Sequence, residues 1–113
     1  MFYNYNMYGV ENITPEELNA KIGSGSDFIL LDVRTAQENA AEAIEGSYLV
    51  PIHELPHRLQ ELPKNRDIVV YCRIGNRSAH ACVYLSRLGY AVKNLEGGIV
   101  QWNRKSSSSA ARV

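Results

Sequence analysis

The sequence predicts a single α/β domain in which a mainly parallel sheet is covered by helices on both faces. Two short apolar runs, FILLDV (28–33) and DIVVY (67–71), have the composition of strands buried on both faces. A third run, AVKNL (91–95), is a further short strand. Helical segments alternate with these runs, which is the order expected of a parallel sheet. A chain of 113 residues is enough for one domain and hardly for two.

The first two helices are predicted from their capping signals. In ITPEELNAKIGSG, Thr14 is the expected N-cap, Pro15 takes the first helical position and Glu17 completes a capping box. Gly23 ends this helix. After the strand FILLDV, the segment TAQENAAEAI repeats the capping-box spacing and continues as a helix up to the break at Gly46.

The second half of the chain continues the alternation. SYLVP is a short strand, and HELPHRLQELP predicts an amphipathic helix because its leucines recur at spacings of four and three before Pro63. The strand DIVVY leads through CRIGNR into a helix that runs to about Leu88, with Gly89 at its C-terminal cap. EGGIVQWN turns at two glycines into a last short helix.

The predicted organisation is an N-terminal arm (1–9), one domain (10–104) and a small polar tail that we expect to be disordered (105–113). The N-terminus has no signal-peptide pattern and no apolar stretch is long enough to span a membrane, so the expected location is the cytoplasm. A net charge of zero argues against a nucleic-acid binder held by bulk electrostatics. Two cysteines are too few for a disulfide scaffold, and neither a metal nor a cofactor is predicted.

The segment CRIGNR places Cys72 where a buried strand meets a helix. In parallel sheets, ligands bind beyond the carboxyl ends of the strands. The first turn of the following helix offers unpaired N–H groups and partial positive charge, and Gly75 can take the positive φ that lets N–H groups converge. Arg73 and Arg77 add two cations. Such surroundings favour a thiolate, which makes Cys72 the candidate nucleophile.

The length of this loop narrows the chemistry. Cysteine-dependent phosphatases use a loop in which five residues separate cysteine from arginine, so that a ring of donors can hold a tetrahedral phosphate. Here four residues separate Cys72 from Arg77, and Ser78 follows. The smaller ring suits one additional sulfur atom better than a phosphate, which argues against a phosphatase or arsenate reductase.

Three segments together resemble the rhodanese family of sulfurtransferases. LLDVR (30–34) with Glu38 is similar to the family's first signature, CRIGNRS to its active-site loop and LEGGIVQW (95–102) to its closing signature. The resemblance covers roughly residues 10–104. It implies a rhodanese-like fold and a ping-pong reaction. In that reaction Cys72 takes sulfane sulfur from a donor such as thiosulfate and passes it as a persulfide to cyanide or a thiol.

The resemblance also assigns roles to individual residues. Cys72 is the expected nucleophile and persulfide carrier, and Arg77, with help from Arg73, is expected to orient an anionic donor. The active-site loop is expected to consist of Arg73, Ile74, Gly75, Asn76, Arg77 and Ser78. Structural support is expected from Asp32, Arg34, Glu38, Gly97, Gly98 and Trp102. Within this second group, Arg34 is expected to pair with Glu38, and Trp102 to pack beneath the loop.

One departure from the family pattern leaves alternatives open. The family usually has Gly-His where this chain has Glu42 and Ala43, which puts the local turn and a partner surface in doubt. A rhodanese-like binding module or persulfide relay therefore remains an alternative to a sulfurtransferase with turnover of its own. The expected partners are a small sulfur donor and an acceptor, with a sulfur-carrier protein as a further candidate, but neither nucleic acid nor membrane. Cys82 is expected to be a small core residue rather than a resolving thiol.

Overall fold

A computed structural model describes residues 8–111, with side chains up to residue 106, so most of the predicted arm lies outside the described residues. Within that range the chain forms one five-stranded sheet in which every pairing is parallel. The strands lie in the order β1-β5-β4-β2-β3. Their bounds are β1 Asn12–Ile13, β2 Phe28–Asp32, β3 Tyr48–Leu49, β4 Asp67–Tyr71 and β5 Ala91–Leu95.

Four α-helices surround this sheet: α1 Pro15–Gly23, α2 Ala36–Ala41, α3 Asn76–Arg87 and α4 Gly98–Ala111. Both predicted capping boxes are confirmed. The Thr14 hydroxyl accepts from the Glu17 N–H, while the Glu17 carboxylate accepts from the Thr14 N–H, and Thr35 and Glu38 repeat the exchange. The caps fix where α1 and α2 begin.

The core lies in two clusters, one on each face of the sheet. In β4, Ile68 and Val70 face the side of α3, whereas Val69 and Tyr71 face the side of α1 and α4. This alternation with a period of two buries both faces of the strand, as the apolar run DIVVY predicts. The predicted α/β class with helices on both faces is confirmed.

Three elements before α4 differ from the prediction. The expected helix at 53–63 is instead a pair of short 3₁₀ helices, Ile52–His57 and Leu59–Glu61. Pro56 lies inside the first of them, and a proline there removes a donor and blocks a regular α-helix. Helix α2 ends at Ala41 because the chain becomes extended at Glu42. Strand β1, of two residues, was not predicted.

The C-terminal helix is longer than the sequence suggests. Helix α4 continues to Ala111 and so enters the stretch 105–113, where a disordered tail is predicted. The division into arm, domain and tail stays a prediction. Among the described helices, none combines the length and apolar character needed to cross a membrane.

Candidate active site

Cys72 directly follows β4, the middle strand of the sheet, and lies at its carboxyl end. Gly75 is the N-cap of α3 and adopts φ 112°, a conformation that favours glycine. This left-handed turn bends the chain from the strand into the helix within three residues. The thiol is 1% exposed, so the sulfur lies at the floor of the site.

The Cys72 sulfur accepts three hydrogen bonds from its own loop. The donors are the Gly75 N–H at 3.1 Å, the Ser78 N–H at 3.4 Å and the Ser78 hydroxyl at 3.2 Å. Ser78 is fully buried. Donors that converge on one sulfur stabilise negative charge there. In the described chain, the N–H groups of Arg73, Ile74, Asn76 and Arg77 do not bond to this sulfur.

A cleft of about 250 Å³ opens above the sulfur. It is lined by Cys72, Arg73, Ile74, Asn76 and Arg77. Ile74 is 53% exposed at its edge. The loop residues predicted for the site are thus brought together, with Gly75 and Ser78 on the buried side of the sulfur.

Arg77 is held by a carboxylate. Its guanidinium donates two parallel hydrogen bonds to Glu38, at 2.8 and 2.9 Å. The hydrogen bonds from Arg77 lower the pKa of Glu38 to about 2, and the same pair raises the pKa of Arg77. The first signature therefore contacts the active-site loop through Glu38.

The expected pairing of Arg34 with Glu38 is wrong. Arg34 donates to both carboxylate oxygens of Asp32, at 2.9 and 2.7 Å, and the two side chains are almost fully buried. Burial acts to raise the pKa of Asp32, but hydrogen bonds from Arg34 and Asn39 outweigh it, and the pKa lies below its ordinary value. Asp32 also accepts from the Tyr71 hydroxyl at 3.1 Å, so this network supports the end of β4 next to Cys72.

The closing signature contacts the same loop from its other side. The N–H groups of Ile99 and Val100, in the first turn of α4, donate to the carbonyl oxygens of Cys72 and Arg73, at 3.0 and 3.1 Å. A Cβ atom at Gly98 would lie 2.6 Å from the Cys72 carbonyl oxygen, so only glycine allows this approach. Trp102 is half-buried and packs on the cluster on the α1 and α4 side of the sheet.

The missing Gly-His pair is accommodated without strain. Glu42 has φ −167°, an extended conformation open to any residue, and its carbonyl oxygen accepts from Arg34 at 2.7 Å. Its carboxylate accepts from Asn103 on α4, also at 2.7 Å. Ala43 is exposed, so a histidine there would lie on the surface. The local turn is therefore intact.

Cys82 lies in the core on the α3 side of the sheet and is fully buried. Burial is the main cause that raises the pKa of the Cys82 thiol above its ordinary value, and the charge of the nearby Cys72 adds to the effect. A neutral, enclosed thiol favours the core role over that of a resolving thiol.

Two buried polar residues next to the loop were missed by the sequence prediction. Tyr71 joins Asp32, Ser47 and the Ile44 N–H through its hydroxyl. Asn94, 4% exposed on β5, donates to the Gly75 carbonyl oxygen at 3.3 Å. The available signal was a polar residue near the end of the short strand AVKNL, three positions before Gly97. Histidine, cysteine, aspartate and glutamate form no metal-binding group within residues 8–106.

Comparison with known proteins gives a consistent result. The rhodanese-like domain family matches residues 14–105. A sulfurtransferase of Allochromatium vinosum is 44% identical over 96 residues, which cover 84% of this chain and 90% of that protein. The human thiosulfate:glutathione sulfurtransferase is 32% identical, over 89% of this chain and all of that protein. The crystal structure of a rhodanese-related protein from Thermoplasma volcanium superimposes with a TM-score of 0.77 at 34% identity, over 83% and 91% of the two chains.

Proposed function

Because this chain belongs to the rhodanese family, we propose that it is a sulfurtransferase that carries sulfane sulfur as a persulfide on Cys72. The observation that best supports the proposal is the environment of the Cys72 sulfur. The sulfur is buried, accepts three hydrogen bonds and lies at the floor of a cleft bordered by two arginines. The hydrogen bonds can stabilise negative charge on the sulfur, and the two arginines can attract an anionic sulfur donor into the cleft.

The proposed first half-reaction uses thiosulfate or a similar donor. The Cys72 thiolate attacks the outer sulfur of thiosulfate, and the bond between the two sulfur atoms of the donor breaks. Sulfite leaves with the bonding electrons, and Cys72 becomes a persulfide anion. Gly75 and Ser78 donate to the inner sulfur, and the cleft lined by Arg73, Ile74, Asn76 and Arg77 offers room for the outer sulfur.

The second half-reaction returns the enzyme to its starting state. A thiolate or cyanide attacks the outer sulfur, takes it as a new persulfide or as thiocyanate, and releases the Cys72 thiolate. No strong general base is required, because both nucleophiles react as anions. The human relative is named for thiosulfate and glutathione, which supports a small thiol as acceptor here. Two free thiols suit a reducing compartment such as the cytoplasm.

The test is intact-mass analysis of the protein after incubation with thiosulfate, and again after cyanide or dithiothreitol is added. We expect a gain of one sulfur atom that the acceptor removes. Cys72→Ser should prevent this gain, whereas Cys82→Ala, which changes the other thiol, should retain it. A gain of sulfur in the Cys72→Ser variant would contradict the mechanism. Absence of any gain, with glutathione persulfide as well as thiosulfate, would favour a binding module.

A further inference from the structure

Asn94 is a buried polar residue that is expected to lower the stability of the fold, and packing in the core does not explain its presence. Its side chain is 4% exposed, and its Oδ1 atom has no hydrogen-bond partner in the described structure. A buried carbonyl oxygen without a partner is destabilising, and asparagine is also a poor residue for a strand. The same face of β5 carries Val92, an apolar residue that packs on the core. An apolar residue at 94 would avoid both penalties.

The other end of the same amide makes one specific contact. Nδ2 donates to the carbonyl oxygen of Gly75 at 3.3 Å, and the N–H of Gly75 donates to the Cys72 sulfur at 3.1 Å. Asn94 is therefore linked to the sulfur through a single intervening residue, Gly75. It reaches the loop from β5, an element that is held in the sheet on both sides by β1 and β4.

The contact completes a pattern in the loop. The carbonyl oxygens of Cys72 and Arg73 are bound by the N–H groups of α4. The Gly75 carbonyl oxygen is bound by Asn94, in addition to the first-turn N–H of Ala79. In a trans peptide each carbonyl points away from the N–H of the next residue. Carbonyl groups held from outside the loop therefore turn the N–H groups of Arg73, Ile74 and Asn76 towards the cleft, and they fix the backbone on either side of the Gly75 N–H.

We propose that Asn94 is a positioning residue: by binding the Gly75 carbonyl oxygen it holds Gly75 in place, and so keeps the N–H of that residue within bonding distance of the Cys72 sulfur. The unpaired Oδ1 atom is the penalty accepted for a donor at this place, since a buried polar group without a structural benefit points to function. For sulfur transfer the inference rests on the proposed function. For the reactivity of the Cys72 thiol it does not.

The proposal predicts that stability and reactivity change in opposite directions. Asn94→Leu keeps the branching of the side chain at Cγ, although it is larger, and removes both the unpaired oxygen and the donor. Its melting temperature should be equal to or higher than that of the parent protein. If Asn94 served only to stabilise the fold, Asn94→Leu would lower the melting temperature and leave the reactivity of Cys72 unchanged.

The experiment uses a Cys82→Ala background, so that one thiol reacts. The rate constant for alkylation of Cys72 by iodoacetamide at neutral pH should fall by roughly tenfold or more in Asn94→Leu, as expected for a misplaced donor. The rate of persulfide formation should fall similarly, with an unchanged half-saturating concentration of thiosulfate. Asn94→Ala, which cannot be overpacked, should show the same loss of reactivity. Val92→Ala is the control and should lower the melting temperature with no effect on alkylation.

The proposal would be overturned if folded Asn94→Leu were alkylated at a rate within about twofold of the parent value, because so small a difference is hard to distinguish from no effect. So would a loss of reactivity that Val92→Ala reproduces. If the parent protein forms no persulfide and Asn94→Leu still slows alkylation, the proposed function fails and the positioning role stands.

Discussion

Arg77 and Arg73 border the same sulfur, but their surroundings differ. Arg77 is engaged by Glu38 in a two-bond ion pair, while Arg73 is exposed and forms no ion pair in the described chain. An arginine that is paired with a carboxylate presents less net positive charge to an incoming anion than an arginine without such a partner. If Arg77 alone is removed, the Glu38 carboxylate remains at the edge of the cleft.

We therefore predict that Arg77→Ala raises the half-saturating concentration of thiosulfate by about tenfold, the cost of a hydrogen bond to a charged group. The double variant Arg77→Ala with Glu38→Gln should recover part of this loss, since it also removes the repelling carboxylate. Steady-state kinetics of thiocyanate formation would measure both. Arg58→Ala, which breaks surface ion pairs with Glu54 and Glu61, is the matched control. Equal losses in the single and double variants would show that Glu38 has no electrostatic influence on the donor.

Ser78 contributes two of the three hydrogen bonds to the Cys72 sulfur, and Ser78→Ala removes the one from its hydroxyl. We expect persulfide formation to slow by about tenfold, with the fold retained, because the backbone donor stays in place. Stopped-flow mixing with thiosulfate would give the rate. Ser86→Ala, on the same helix, removes a hydroxyl that donates to the Val83 carbonyl oxygen and should leave this rate unchanged. An unaffected rate in Ser78→Ala would mean that the hydroxyl does not stabilise the reacting sulfur.

At the scale of secondary structure, the N-terminal turn of α4 shapes the loop. Its backbone approaches so closely that Gly98, at φ 60°, has no room for a Cβ atom. Gly46 also has a positive φ, 85°, but has open space around it. The two glycines therefore separate the cost of backbone strain from the cost of steric conflict.

We predict that Gly98→Ala destabilises the protein by about 2–5 kcal/mol, the sum of a left-handed alanine and an overpacked contact. Gly46→Ala should cost about 1 kcal/mol, from strain alone. Urea unfolding followed by circular dichroism would measure both changes. Equal effects of the two substitutions would argue that α4 can move away from the loop at little cost.

Local signals in the sequence predicted most elements, and contacts between distant residues account for what it missed. The capping boxes at Thr14 and Thr35 and the strands 67–71 and 91–95 depend on neighbouring residues, and all are observed. The leucine spacing at 55–62 favoured a helix, but Pro56 carries more weight than periodicity over so short a stretch. Strand β1 exists only because Asn12 and Ile13 pair with β5, far along the chain.

The candidate site divides in the same way. Cys72, the arginines and Gly75 could be selected from one contiguous loop. The partner of Arg77 could not, since Glu38 and Asp32 are both carboxylates near the same strand end, and only the folded geometry decides which arginine meets which. Asn94 was missed because the strand pattern treats it as an ordinary end residue, while its importance depends on a contact with Gly75.

For the molecule as a whole, the lowered carboxylate pKa values determine the response to acid. The pKa of Glu38 is about 2 in the folded protein, against an ordinary value of 4.5, and that of Asp32 is also lowered. A group with a lower pKa in the folded state contributes its full stability above its unfolded pKa. It loses that contribution as the pH falls through the folded value.

The free energy of unfolding should thus be nearly constant from pH 7 to about 5 and fall steadily towards pH 2. Urea titrations at half-unit steps of pH would measure this dependence. Glu38→Gln should be less stable at neutral pH and show a shallower fall in acid. A variant curve parallel to that of the parent protein would show that the Glu38–Arg77 pair does not contribute.

The contact between α4 and the loop also has a consequence for protein synthesis. The ribosome makes Cys72 before Ile99 and Val100, whose N–H groups orient its loop. At ordinary elongation rates the intervening segment takes roughly a few seconds to make. During that interval the loop lacks these two backbone donors. Under the proposed function, the complete Cys72 site would therefore become available to a sulfur donor only after Ile99 and Val100 have been translated.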